Sequence, residues 1–332
     1  MTPSPMLIFD MLQAYQRTAA LKAAIELKLF TAVAGGATTA ATLATACGAN
    51  PKGMRILADF LTIHGMLMKT GDTYSLTPDS AMFLVEGLPA YMGGMTNFLL
   101  HPKLKSANDD LAGVVRKGGT LLPDEGSVTP DNPIWEDFAR GMMPMMMPAA
   151  QMMAGMTAGT GPRKVLDIAA GHGLFGIVVA QHNPEAVVHA LDWKAVLAVA
   201  RKHAGQFGVG DRWHALEGDA FKTDYGTGYD LALVTNFLHH FDYATNVTLL
   251  KRVKAALKPG GRMVILEFAV NEDRLTPPGA GVFALQMLAS TQAGDAYSFN
   301  ELEAMCREAG FDEVSHHSVT GTPQSLTIAA VA

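Results

Sequence analysis

From Arg163 onward, apolar runs of strand length recur along the chain: KVLDIAA, VVHALDW, WHALEGD, DLALVTNF, RMVILEF, VSHHSVTG and SLTIAAVA. Segments long enough for a helix separate all but the last two. Strands that alternate with helices are joined by crossovers, so they lie parallel, and helices cover both faces of the sheet. The last two runs lack a full intervening helix and are expected to pair antiparallel at an edge. Residues 161–332 are therefore expected to form an α/β domain with a doubly wound sheet and an antiparallel edge strand.

Residues 1–103 read differently. Leu21, Ile25, Leu29 and Val33 recur at helical spacing over residues 17–33. Thr38 or Thr39 can cap a second helix ending by Gly48. Asn50-Pro51 fits a cap followed by proline at the first helical position. Ile56, Leu57, Phe60, Leu61 and His64 then mark one face of a third helix, stopping at Gly65. Two short strands around Thr70-Gly71-Asp72 complete a helix, helix, helix, hairpin order, which is a winged helix. Its third helix offers only Lys52 and Arg55 against Asp59, a poor surface for DNA. The leading Met6, Leu7, Phe9, Met11, Leu12 and Tyr15 are apolar enough to need a partner surface, so a dimer arm is expected.

Residues 104–160 form a polar, Gly- and Pro-containing connector followed by eight methionines between Met142 and Met156, interrupted by Pro144 and Pro148. Methionine suits adaptable apolar surfaces. The segment reads as a Met-rich core helix, as the wall of an apolar pocket, or as both.

With 332 residues, 49% hydrophobic and 17% charged, the chain can bury two globular cores. A net charge of −6 argues against a nucleic-acid partner. Cys47 and Cys306 lack metal or redox spacing and read as reduced thiols. No stretch reaches the roughly 18 apolar residues of a membrane span. The N-terminus has no basic region, and Asp10 interrupts its apolar run, so no signal peptide is read and a cytoplasmic location is expected. No spacing suggests a metal site; His316 and His317 point to opposite faces of a strand, and His172 reads as a surface residue.

The chemistry concentrates at the ends of the strands. The first run passes from Asp167 through Ala169 into Gly171-His172-Gly173 and a helix. Gly171, Gly173 and Gly176 match the dinucleotide spacing, a weak signal alone. Asp167 just before the turn is a poor neighbour for a pyrophosphate but a good one for a cationic ligand. Asp192, ending the second run, can accept ribose hydroxyls. Asp219, after the third, can accept from an adenine amino group. Three acids at three successive strand ends predict a nucleoside site.

These residues resemble the glycine turn and acids of class I S-adenosylmethionine-dependent methyltransferases, with a Rossmann-like fold. Over roughly residues 10–332 the chain is similar to plant-type small-molecule O-methyltransferases of the caffeate and acetylserotonin kind and their bacterial branch. Those carry an N-terminal winged-helix dimerisation domain. The landmarks are ELKLF near residue 30, TYSLTP at 73–78, VLDIAAGHG, GDAF, NFLHHFD, ALKPGGRMVILE and EAGF at 308–311. The resemblance implies S-adenosyl-L-methionine as cofactor, held by Gly171, Gly173, Asp192 and Asp219 near Asp167. Ala169, Trp193, Gly218, Ala220 and Asn236 complete the expected set. Ala169 stands where the family often has glycine, and Thr235 where plant members tend to have lysine.

The family's general base aligns with His239, and Glu267, ending the fifth run, would orient it. Adjacent His240 keeps the choice of base open. A second family glutamate falls near Ala296; Asp295 is the nearest acid. Neutral histidine suits proton removal from a phenol, and the methyl group arrives already activated. Trp135, Phe138, Met142, Met146, His240, Phe283 and Met287 are expected to line an apolar pocket for an aromatic or polyketide-like acceptor. A homodimer is expected through the N-terminal domain, with neither nucleic acid nor membrane as partner. The expected function is methyl transfer to a hydroxyl. The alternatives are a C- or N-methyltransferase of the same fold, a cofactor-sensing DNA-binding regulator, and an NAD-dependent enzyme.

Overall fold

The structure, a computed structural model, describes residues 3–124, 126–129 and 132–331. Two compact units divide the chain, Met1–Thr96 and Asn97–Ala332.

In the first unit, helix α1 (Met6–Glu26) ends where Lys28 takes a left-handed conformation, φ +55°. The helical spacing read over residues 17–33 is thus split between α1 and α2 (Leu29–Ala34). Helix α3 (Ala40–Ala46) starts in a capping box: Thr39 Oγ1 accepts from the Thr42 N–H, and Thr42 Oγ1 from the Thr39 N–H. Helix α4 (Pro51–Ile63) is capped by Asn50 Oδ1, which accepts from the Lys52 N–H at 2.9 Å. Strands β1 (Leu67–Thr70) and β2 (Thr73–Leu76) pair antiparallel, and α5 (Pro78–Phe83) follows. This is the winged-helix order.

The core holds Leu29, Phe30, Leu43, Met54, Leu61 and Tyr74. The buried face of α4 is Met54, Ala58 and Leu61, rotated from the expected one: Ile56 and His64 are exposed. Small Ala58 lets α4 approach its neighbours, and counting only large side chains misplaces the stripe. Asp59 ties this face down. It accepts from Tyr74 Oη at 2.7 Å, Lys69 at 2.6 Å and Arg55 at 3.0 Å, so both cations beside it are already paired. Helix α1 buries only Ala24, while Leu7, Met11, Leu12 and Tyr15 are each about 70% exposed.

Helix α6 (Met95–Leu99) spans the boundary between the units, and the second unit then carries α7 (Pro102–Ser106), α8 (Leu111–Lys117), α9 (Ile134–Gly141) and α10 (Met143–Ala158) before the sheet. Strands β3 (Lys164–Ile168), β4 (Val187–Asp192), β5 (Trp213–Glu217), β6 (Tyr229–Thr235) and β7 (Leu257–Glu267) follow; α11 (Leu174–His182), α12 (Lys194–Gln206) and α13 (Tyr243–Ala256) come after β3, β4 and β6, while β5 runs to β6 through a loop in place of the expected helix. Helices α14 (Pro278–Ser290) and α15 (Phe299–Glu308) precede the final β8 (Glu313–Ser318) and β9 (Ser325–Ala330). The strand order is β5-β4-β3-β6-β7-β9-β8. All neighbours are parallel except β7–β9 and β9–β8, so β9 slots between β7 and the edge strand β8.

The chain winds outward from β3 in one direction and from β6 in the other. A crevice therefore opens at the carboxyl ends of β3 and β6, where such sheets take ligands. The methionines of α10 divide: Met153 is core, while Met145 and Met146, with Met142 just before the helix, face a cavity. Cys306 is buried, Cys47 half-buried, and both are free. Among the described residues, no helix is long and apolar enough to cross a membrane, and no group of three or more His, Cys, Asp or Glu could hold a metal ion.

Candidate active site

The turn after β3 needs three left-handed residues. Ala169, Gly171 and Gly173 have φ of +52°, +56° and +76°. At Ala169 an L-side chain occupies backbone space that glycine takes freely, which gives a physical reason for glycine at this position. A Cβ on Gly171 would lie 3.0 Å from the Phe138 ring, and one on Gly173 3.0 Å from Ala200 of α12. Gly171 thus keeps the cavity wall thin, whereas Gly173 lets two helices meet.

Asp167 is fully buried beneath this turn, with Oδ2 accepting from the Gly176 N–H at 3.1 Å and Oδ1 unpartnered. Burial pushes its carboxyl up to about 8. Asp167 and Gly173 do not line the cavity, contrary to their expected place in the cofactor set. A β3 side chain on that face points into the α11–sheet interface, where this carboxyl anchors the helix's first turn. His172 also departs from its surface reading: it is 1% exposed, lines the cavity and stacks on Phe138 at 5.5 Å. Its Nδ1 accepts from the Leu174 N–H, and burial drives its pKa down to about 3, so it is neutral.

Asp192, at the end of β4, accepts from the Gly171 N–H at 2.8 Å and the Trp193 N–H at 2.7 Å. Burial raises its carboxyl to about 6. Asp219, after β5, lies half-buried and accepts from the Phe221 N–H at 2.8 Å. Both acids line one cavity of about 400 Å³, together with Ala169, Gly171, Trp193, Gly218 and Ala220. Asn236 joins them, with φ +53° and its side-chain Oδ1 accepting from Gln324 Nε2.

At the other end stands the loop after β6. Glu267, 3% exposed at the end of β7, acts as its anchor. Its Oε1 accepts from the backbone N–H groups of Phe237 and Leu238 at 2.9 and 2.8 Å. Its Oε2 accepts from His239 Nδ1 at 2.7 Å. The carboxylate therefore shapes the turn and fixes the imidazole tautomer, leaving the proton on Nδ1. The His239 ring meets His240 at 4.3 Å and Phe283 at 4.8 Å. Burial and the neighbouring His239 hold His240 well below the usual histidine range, hence neutral. Trp135, Phe138, Met142, Met146, His240, Phe283 and Met287 all line this half of the cavity. Asp295 is exposed and lies outside it, with its carboxylate taken by its own loop at the Ala296 N–H.

Sequence reasoning did not find Phe98, Ser127 or Phe268 on the wall. Gln286, one helical turn from Phe283 and within the 283–294 stretch expected to shape the pocket, also lines it. Ser127 sits in a short 3₁₀ turn, Gly126–Val128, inside the connector and carries no periodic signal.

The half of the cavity nearer β3–β5 fits an adenosyl ligand. It pairs two acids that can accept hydroxyl or amino protons with glycine-thinned walls and apolar faces from Trp193, Ala220 and Phe221. Comparisons agree. The O-methyltransferase domain model matches residues 130–312, and the O-methyltransferase dimerisation domain model matches residues 9–86. The 3-hydroxy-5-methyl-1-naphthoate 3-O-methyltransferase of Streptomyces sahachiroi is 29% identical, over 93% of this chain and 90% of its own. The tetracenomycin polyketide synthesis 8-O-methyltransferase of Streptomyces glaucescens is 26% identical, over 97% and 95%. A candidate O-methyltransferase from Nostoc punctiforme, known by crystal structure, is 47% identical, with a TM-score of 0.96 over 99% of this chain and 100% of that one. Human N-acetylserotonin methyltransferase, solved with S-adenosylmethionine, shares the fold at 20% identity, with a TM-score of 0.86 over 100% of this chain and 99% of that one. The chain belongs to the O-methyltransferase family and is an S-adenosylmethionine-dependent enzyme carrying that family's dimerisation domain.

Proposed function

We propose that this enzyme methylates a hydroxyl of a small aromatic or polyketide-like acceptor, with His239 as general base. The observation that carries this reading is the buried Glu267–His239 pair, 2.7 Å apart, on the wall of an apolar cavity. With Nδ1 donating to Glu267, the Nε2 lone pair of His239 is free to take the acceptor's proton. Glu267 then stabilises the imidazolium. S-adenosylmethionine supplies an activated methyl group when bound. Asp192, Asp219 and the glycine-thinned turn at Gly171 would hold that cofactor. Trp135, Phe138, Met142, Met145 and Met146 hold the acceptor ring and exclude water, which is catalysis by orientation. The aromatic character of the acceptor is supported by the apolar lining and by the aromatic and polyketide substrates in the names of the two Streptomyces relatives. The exposed apolar stripe of α1 and the match to a dimerisation domain support a homodimer.

The test is His239→Gln. Methyl transfer is expected to fall about 10²–10⁴-fold, with S-adenosylhomocysteine affinity retained. Wild-type turnover on an identified hydroxyl acceptor would remove His239 from the chemistry.

A further inference from the structure

A few polar side chains interrupt the largely apolar wall of the cavity, and among the described residues some of them have no partner. Ten buried side-chain polar atoms lack a hydrogen-bond partner among the described residues, and Ser127 Oγ, His240 Nδ1 and Gln286 Nε2 are three of them. All three residues line the cavity. They are neighbours through built contacts. A Cβ on Gly126 would lie 2.4 Å from the Ser290 carbonyl, so the turn holding Ser127 rests directly on the end of α14. There, Ser290 Oγ donates to the Gln286 carbonyl at 2.7 Å. The Ser127 carbonyl accepts from Trp135 Nε1 at 3.0 Å, and the Trp135 ring meets His240 edge-on at 5.3 Å. A buried donor without a partner is costly, and all three residues stand on the wall of the cavity that His239 also lines.

We propose that Ser127, His240 and Gln286 form a polar subsite that reads an uncharged carbonyl oxygen on the acceptor, away from the hydroxyl to be methylated. The inference rests on the O-methyltransferase reading above and specifies its substrate class: a hydroxylated ring bearing a ketone, lactone or amide. The chemistry selects this group. Gln286 Nε2 is a donor only, and the Ser127 hydroxyl can donate. Neutral His240 can donate from one ring nitrogen. Among the described residues no lysine or arginine lines the cavity, and the carboxylates that do, Asp192 and Asp219, belong to the cofactor half. An acceptor carboxylate would be buried there without a cation, which is costly; a neutral carbonyl completes the donors at no such cost. The subsite thus separates this chain from an enzyme whose acceptor is an aromatic acid, such as the naphthoate its Streptomyces sahachiroi relative is named for.

The experiment compares three bicyclic phenols, 7-hydroxycoumarin, 2-naphthol and 6-hydroxy-2-naphthoate. Binding to the full-length protein saturated with S-adenosylhomocysteine is measured by calorimetry, and methyl transfer is measured separately. The wild type is expected to bind 7-hydroxycoumarin about tenfold or more tightly than either of the others. In Gln286→Leu the preference over 2-naphthol should collapse towards unity. Gln286→Glu, which keeps the shape but replaces the donor with an acceptor, should do the same. Thermal unfolding confirms that each variant is folded, and Ser127→Ala should lower the preference partially. No preference in the wild type, a preference that survives both Gln286 variants, or no binding of 7-hydroxycoumarin overturns the subsite. Preferential binding without methyl transfer would uphold the subsite and sink the O-methylation reading instead.

Discussion

A carboxylate's neighbours decide what it does, and the acids of this site show it. Glu267 spends both oxygens on the loop it anchors, so its influence on an acceptor passes through His239. Asp167 is sealed under a helix and belongs to the architecture. Asp192 alone combines a cavity position with a carboxyl raised to about 6 by burial. Ligand hydroxyls donate to its ionised form. Cofactor affinity is therefore expected to be flat above pH 7 and to fall as pH drops through about 6, when the carboxyl takes up a proton. Calorimetric titration of S-adenosylhomocysteine from pH 5 to 8 checks this, and Asp192→Asn should weaken binding and remove the step. The three acids were legible as strand-end residues. Their division of labour was not, because sequence position does not say which side of a glycine turn a carboxylate faces.

At the scale of elements, the site depends on how closely α11 lies on the sheet. Gly176 permits this: a Cβ there would meet Val188 of β4 at 2.7 Å and Asp167 Oδ2 at 2.8 Å. Gly176→Ala is expected to cost about 1–3 kcal/mol by overpacking and to disturb the turn that carries Gly171. Chemical denaturation with and without S-adenosylhomocysteine measures both effects, and unchanged stability would refute the close-packing role. The glycine spacing was readable in the sequence, yet its third member works through helix–sheet contact rather than through a ligand. The seven strands, too, were readable from apolar runs. The face of α4 was not, since Ala58 contributes to a buried stripe without the large side chain that announces one.

For the whole molecule, the unresolved surface is α1. Helix α1 exposes Leu7, Met11 and Leu12 along its first half, an apolar stripe that calls for a partner surface. A second copy is the occupant that the dimerisation-domain match supports. Sedimentation should show a dimer for the wild type and a shift towards monomer in a Leu7→Glu, Leu12→Glu double variant. A monomeric wild type at micromolar concentration would contradict the arm reading.

The sequence by itself determined the α/β class and the strand-end acids, because both follow from short-range patterning, alternation and glycine turns; the His239–Glu267 pairing was implied by the family resemblance, which supplies the strand order that makes their strands neighbours. Only the tertiary structure decided that Asp167 is sealed beneath the turn, that His172 is buried on the cavity wall, and that the turn at Gly126 rests on the end of α14 at Ser290. Those facts depend on which surfaces of distant elements touch. Packing fixes that by volume and by satisfying buried polar groups, and neither quantity is encoded in any single stretch of chain.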